Sequence, residues 1–218
     1  MGKDKKDVPV ELSVRVTFGE PLLGTAPLDP EIFKAYVTKG ILSEEEEVGS
    51  LPGVDEDEKP EAERKPSQVT GFHRENGHIF LYDYQVKGFF KDACGSLKRA
   101  GYTMSNPFTA YKKKIDGLVF VEPRRIPIAL PDGCDVESIE ILSRPLRAST
   151  PQGDRVAIAS SEVAPAGSTM ELRISSLSRA ALPAELVQEW LGYGALRGFG
   201  AWRNAGYGRF TWEALSQS

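Results

Sequence analysis

Positions 192–215 read GYGALRGFGAWRNAGYGRFTWEAL, and few structures accommodate such a stretch. Gly198, Gly200, Gly206 and Gly208 fall within eleven residues, too many freely turning positions for a helix or strand to run through. Before them, residues 183–193 carry Leu186, Val187, Trp190 and Leu191 at helical spacing, with Pro183 near the start. After them, residues 209–214 read as a strand. The chain thus closes with a helix, a glycine- and arginine-rich loop, and a strand.

The other elements follow from periodicity and turn chemistry. Residues 10–18 place Val10, Leu12, Val14, Val16 and Phe18 on one face and Glu11, Ser13, Arg15 and Thr17 on the other, which predicts a half-buried strand. Asp29-Pro30 joins an N-cap to a proline at the first helical position and predicts a helix over 31–38. Residues 69–73 and 78–82 flank Glu75-Asn76-Gly77, a hairpin signal. Within 84–100, Val86, Phe89, Phe90, Ala93, Cys94 and Leu97 recur at helical spacing, and Gly101 stops the helix. Residues 117–121 and 136–142 read as strands. Residues 155–160 and 169–174 flank Ala164-Pro-Ala-Gly167 and predict a second hairpin or a wide ribbon. Without insertions the order is strand, helix, strand, strand, helix, strand. That predicts an α+β fold with a ferredoxin-like (RRM-type) β-α-β-β-α-β core, insertions and a C-terminal glycine-rich loop.

Charge is unevenly distributed. The net charge is −4, yet ten acidic and only three basic residues lie between Ser43 and Lys65. Setting these aside from the 31 acidic and 27 basic residues leaves 24 basic against 21 acidic, a net of +3. Residues 43–66 therefore read as an acidic mobile insertion, and the remainder permits an anionic partner. The 218 residues suffice for a single domain spanning 1–218. No long apolar run or apolar leader is present, so a cytoplasmic protein without membrane contact is expected. Cys94, Cys134, His73 and His78 lack the paired spacing of a zinc site, so no metal, cofactor or disulfide is expected.

Three ordered segments resemble a known family. Tyr84-Gln-Val-Lys87-Gly88-Phe-Phe-Lys91-Asp-Ala93 resembles the Ser-Ser-Leu-Lys-Gly-Ala-Leu-Arg-type motif in backbone subunits of type III CRISPR effectors. The run from Arg155 through Glu162 and Pro165 to Thr169 is similar to the "Glu, then Val-Pro-x-Gly-Thr" hairpin of those proteins. The run from Gly198 to Phe210 looks like the glycine-rich loop that defines the RAMP (repeat-associated mysterious protein) superfamily. The family carries small serines where this chain has Tyr84 and Gln85, and the 43–66 insertion is a further departure. Stand-alone RAMP-like proteins of prophages are similar as well. The resemblance implies a repeating backbone subunit, forming a head-to-tail homo-oligomer or a hetero-complex on single-stranded nucleic acid, RNA rather than DNA.

The chemistry of the motifs fits that expectation. Glycines at 198, 200, 206 and 208 let backbone approach a phosphate, and free N–H groups form anion-binding nests. Arg197, Arg203 and Arg209 can pair with phosphate, while Trp202 and Tyr207 offer faces for a base. The other reading of the same residues is a loop packed tightly on the sheet with its aromatics in the core. Lys87 and Lys91 lie one turn apart near a helix N-terminus and make a candidate phosphate rail. Lys112, Lys113, Arg144, Arg147 and Arg155 extend the basic set, which tracks a backbone without reading sequence.

Catalysis is not expected, and no catalytic residue is assigned. His73 and His78 flank a turn with no matching base or nucleophile, and Asp29, the one candidate for the loop aspartate that target-cleaving subunits of the resembled family use, already serves as an N-cap. Two alternatives remain from the sequence. One is a phage-encoded protein that mimics a subunit and so interferes with a host CRISPR complex. The other is a weak metal-dependent RNA endonuclease.

Overall fold

The structure, a computed structural model, describes residues 10–28, 69–150, 153–177 and 182–215. The helix expected over 31–38, Asp29 and the acidic insertion lie outside these residues.

The fold is α+β. Strand β1 (Val10–Phe18) is followed by the short β2 (Leu22–Leu23) and β3 (Ala26–Pro27). Next come β4 (Val69–Gly71), β5 (His73–Glu75) and β6 (His78–Tyr82). Helices α1 (Asp83–Ala100) and α2 (Tyr111–Leu118) precede β7 (Val119–Glu122) and β8 (Arg125–Ala129). A long ribbon of β9 (Glu140–Thr150) and β10 (Gly153–Ala164) leads to β11 (Thr169–Ser176), α3 (Ala184–Arg197) and β12 (Phe210–Ala214).

The main sheet runs β12-β1-β11-β8-β6-β5, with β7 also on β11, and each of these pairings is antiparallel. One face is apolar. Val14, Val16 and Phe18 of β1 join Met170, Leu172 and Ile174 of β11 in the core. They pack with Val86, Phe89, Phe90 and Ala93 of α1 and Leu186, Val187, Trp190 and Leu191 of α3. The other face is a lattice of ion pairs: Arg15 reaches Glu171 and Glu213 at 2.7 and 3.1 Å, and Arg173 pairs with Glu122. Such exposed pairs contribute little stability, and they share this face with the exposed ring of Phe120 on β7. The second sheet runs β2-β10-β4-β3, with β9 on β10.

Local signals worked where local chemistry decides. Asn76 and Gly77 both take positive φ, 52° and 76°, as a two-residue hairpin turn requires. Helix α1 buries Val86, Phe89, Phe90, Ala93 and Cys94, the expected stripe. Non-local pairing is different. Residues 155–160 and 169–174 do not form one hairpin: β10 pairs with β9, and β11 pairs with β1 in the other sheet. The turn between them is tied to β1 instead, with the Gly167 N–H donating to Phe18 O at 2.7 Å. Alternation tells which face is buried and says nothing of the neighbouring strand. Residues 136–138 form a 3-10 turn before β9, capped by Asp135, whose side chain accepts from Glu137 N. The Lys112–Lys114 run lies on α2, and β8 runs through Pro127; neither element is apparent from periodicity.

His73 sits against Phe80 and Tyr82, with ring centroids 5.5 and 4.8 Å away, and burial pushes its imidazole below the ordinary value. The unfolded chain then binds the proton more readily than the folded one. Stability is full above about pH 6.5, falls as pH drops through that value toward the lower folded one, and levels off below it. Urea unfolding between pH 5 and 8 should show this step, and His73→Gln should remove it. A step that persists in the variant contradicts the assignment to His73.

Candidate nucleic-acid interface

The glycine-rich loop is stitched into the fold by its backbone. Helix α3 ends at Gly198 (φ 77°), whose N–H donates to Gly194 O at 3.0 Å. The loop then closes on itself and on the β1–β2 segment. Phe199 N donates to Gly208 O and Gly208 N to Pro21 O, both at 2.8 Å, and Ala201 N donates to Leu23 O at 3.4 Å. Gly19 N and Glu20 N donate in turn to Arg209 O at 2.9 and 3.3 Å. A Cβ at Gly198 would lie 2.3 Å from Tyr207 O, at Gly200 2.6 Å from Leu23 O, and at Gly208 2.0 Å from Phe199 O. These three glycines allow backbone to approach protein backbone. Gly206 stands apart, since nothing lies closer than 3.7 Å to its Cβ position.

The basic residues divide by partner. Asp92 on α1 accepts from Arg197 Nε at 3.1 Å and from Arg203 Nη1 at 2.9 Å, and Arg197 also donates to Asn204 Oδ1. Lys91 pairs with Asp116 of α2 at 2.6 Å, and its side chain is only 18% exposed. Lys87 reaches Asp116 O at 3.5 Å and lies 5.4 Å from the centre of the Phe120 ring. It lines an open cavity of about 690 Å³ that includes Arg124 and also Ser13, Glu171 and Arg173 of the charged sheet face. Two carboxylates thus hold Arg197, Arg203 and Lys91. Any phosphate arriving there competes with them. Arg209 is exposed, and its guanidinium has no hydrogen-bond or ion-pair partner among the described residues. Lys112 and Lys113 are exposed on α2. The side chains of Arg147 and Arg155 lie outside the described part of the ribbon.

Three of the candidate residues meet where the ribbon crosses the loop. Trp202 and Tyr207 stack with centroids 5.2 Å apart and planes at 14°. The Arg144 guanidinium lies 4.9 Å over the Trp202 ring. Arg144 is only 8% exposed, and its Nη1 donates to Ser161 Oγ at 3.1 Å. Burial pulls Arg144 below its ordinary value, with Tyr207 opposing the shift. The two rings engage each other and Arg144, so part of the ring surface expected to stack on bases is already occupied. Asp92, Asp116 and Ser161 were not foreseen. Asp92 contacts partners 105 and 111 positions away, and no sequence signal spans that separation.

Comparison of the sequence with protein families and with curated proteins finds no match. The fold does have solved counterparts. A chain of a Type IV-B CRISPR complex superposes with a TM-score of 0.52 at 9% identity, over 96% of this chain and 92% of that one. A chain of the Type III-B Cmr-β complex bound to cognate target RNA gives a TM-score of 0.49 at 10% identity, over 95% of this chain. The present chain spans 59% of the length of that subunit. The likeness is one of fold. Among the described residues no group of three or more His, Cys, Asp or Glu could hold a metal ion, and no helix is long and apolar enough to cross a membrane.

Proposed function

We propose that this chain is a RAMP-type protein that binds single-stranded nucleic acid, RNA in preference to DNA, without cleaving it. In this reading it acts as a repeating backbone subunit of a CRISPR-like or phage ribonucleoprotein, copies meeting head to tail. The observation that carries the binding is the junction of ribbon and loop, where Arg144, Trp202 and Tyr207 cluster and Arg209 stands exposed nearby in sequence. The RAMP assignment has separate support. The order β12-β1-β11-β7/β8, with α1 and α3 on one face, fits a ferredoxin-like core of four strands and two helices. The superposition on the Type IV-B chain covers nearly all of both chains.

Binding of this kind is electrostatic and falls with salt. Fluorescence anisotropy with a labelled single-stranded RNA should give an affinity that drops steeply between about 50 and 200 mM salt. Arg209→Ala should reduce the slope of log affinity against log salt by about one, because that guanidinium has no carboxylate to return to. A DNA strand of the same sequence should bind more weakly if 2′-hydroxyls are contacted. Absence of binding to either strand at about 50 mM salt overturns the reading.

A further inference from the structure

Arg144 is the one guanidinium that the described fold both buries and leaves without a counter-charge. Arg15, Arg74, Arg125, Arg173, Arg197 and Arg203 each reach a carboxylate, although all are more exposed. Arg144 reaches none among the described residues. Its Nε is enclosed with no acceptor, and the side chain's sole hydrogen bond among the described residues goes to the neutral Ser161 hydroxyl. That hydroxyl is itself committed: Ser161 Oγ lies 2.7 Å from Thr70 Oγ1, which donates to Gly24 O at 2.9 Å. Among the described residues Ser161 Oγ is thus the one acceptor for the guanidinium, and the enclosed Nε has none. Burying a cation this way is costly and calls for an anion. Trp202 covers one side of the guanidinium, with its ring centre 4.9 Å away, a contact that restricts the side chain before any ligand arrives.

We infer that Arg144 is an anion-binding point that takes one phosphate group at the junction of the ribbon and the glycine-rich loop. With a strand as its source, the inference rests on the binding role proposed above, and the phosphate is a phosphodiester of the bound chain. A free phosphate presents the same chemistry. The site differs from the Asp92-held arginines in kind. Those exchange one anion for another, whereas Arg144 gains its first.

Two variants of the full chain test it. Arg144→Met keeps an unbranched stem against Trp202 and removes the charge; Arg144→Lys keeps the charge and loses the fork. In the strand arm, anisotropy with a single-stranded RNA across a salt series should show Arg144→Met binding roughly tenfold more weakly, with the salt slope smaller by about one. Arg144→Lys should keep the slope and lose several-fold in affinity. A packing role alone would leave the slope unchanged. Should Arg144→Met fail to fold, Arg144→Lys carries the test. In the phosphate arm, thermal unfolding is compared in inorganic phosphate and in chloride at equal ionic strength. A midpoint raised by phosphate in the wild type and not in Arg144→Met supports the anion site even if no strand binds, in which case only the strand-binding role has failed. Wild-type affinity and slope retained by both variants, or no phosphate response in a wild type that binds no strand, overturns the inference.

Discussion

Alanine at position 208 is expected to destabilise the protein by more than about 3 kcal/mol and to lower its thermal midpoint by roughly 10 °C. Two effects add. Gly208 has φ 69°, which costs an L-residue about 1–2 kcal/mol. The new Cβ would also lie 2.0 Å from Phe199 O and 2.9 Å from its N, both backbone atoms that cannot swing aside. Relief requires opening the Phe199 N to Gly208 O and Gly208 N to Pro21 O hydrogen bonds, both at 2.8 Å. The loop would then detach from the β1–β2 segment. Gly206→Ala is the control. Its φ of 94° carries the conformational cost, but the nearest atoms lie at 3.7 Å or beyond and belong to the Arg209 side chain. A loss of about 1–2 kcal/mol is expected there. Equal losses in the two variants, by urea or thermal unfolding, would show that the close backbone approach at Gly208 is unimportant.

Trp190→Ala should be at least as damaging, at about 3–5 kcal/mol. Trp190 is fully buried on α3, with Phe90 of α1 at 5.5 Å and Phe108 at 6.1 Å between ring centroids. Its indole N–H donates to Ser105 Oγ at 3.0 Å. Ser105 is held by the neighbouring Glu189, which accepts from Ser105 Oγ at 2.6 Å and from the backbone N–H groups of Met104 and Ser105. One residue therefore joins α1, α3 and the segment between α1 and α2. Its removal loosens the packing that brings Asp92 to Arg197 and Arg203. Trp190→Phe restores most of the volume and loses the hydrogen bond, so a cost of about 1–2 kcal/mol is expected. If the two variants unfold at the same denaturant concentration, the cavity term has been overestimated.

The contrast between the two glycines bears on how much of the interface was legible in advance. Four glycines among arginines and aromatics mark a loop, and that reading rests on composition. The same composition fits glycines that admit a phosphate and glycines that admit another stretch of backbone. The carbonyls of Phe199, Leu23 and Tyr207 stand at three of the four positions. Basic residues behave similarly. Lys91, Arg197 and Arg203 look available in sequence because Asp116 and Asp92 are single acids in a basic region, yet Lys91 and Arg197 find their acids across helix pairs and Arg203 reaches Asp92 from the loop. Arg144 runs the other way. One arginine among several in sequence becomes, through the ribbon and Trp202, the cation with the least compensation.

Some features follow from nearest neighbours along the chain. The alternation of β1, the apolar stripe of α1 and the Asn76-Gly77 turn are set by side-chain periodicity and by φ preferences, which act over a few residues. Others depend on which distant segments meet. The separation of β10 from β11 into different sheets, the two arginines on Asp92 and the burial of Arg144 over Trp202 arise only when the chain is packed. Periodicity reports the face a residue turns inward. Hydrogen-bond partners and buried charges are fixed by approach across the fold, where residues far apart in sequence compete for the same few acceptors.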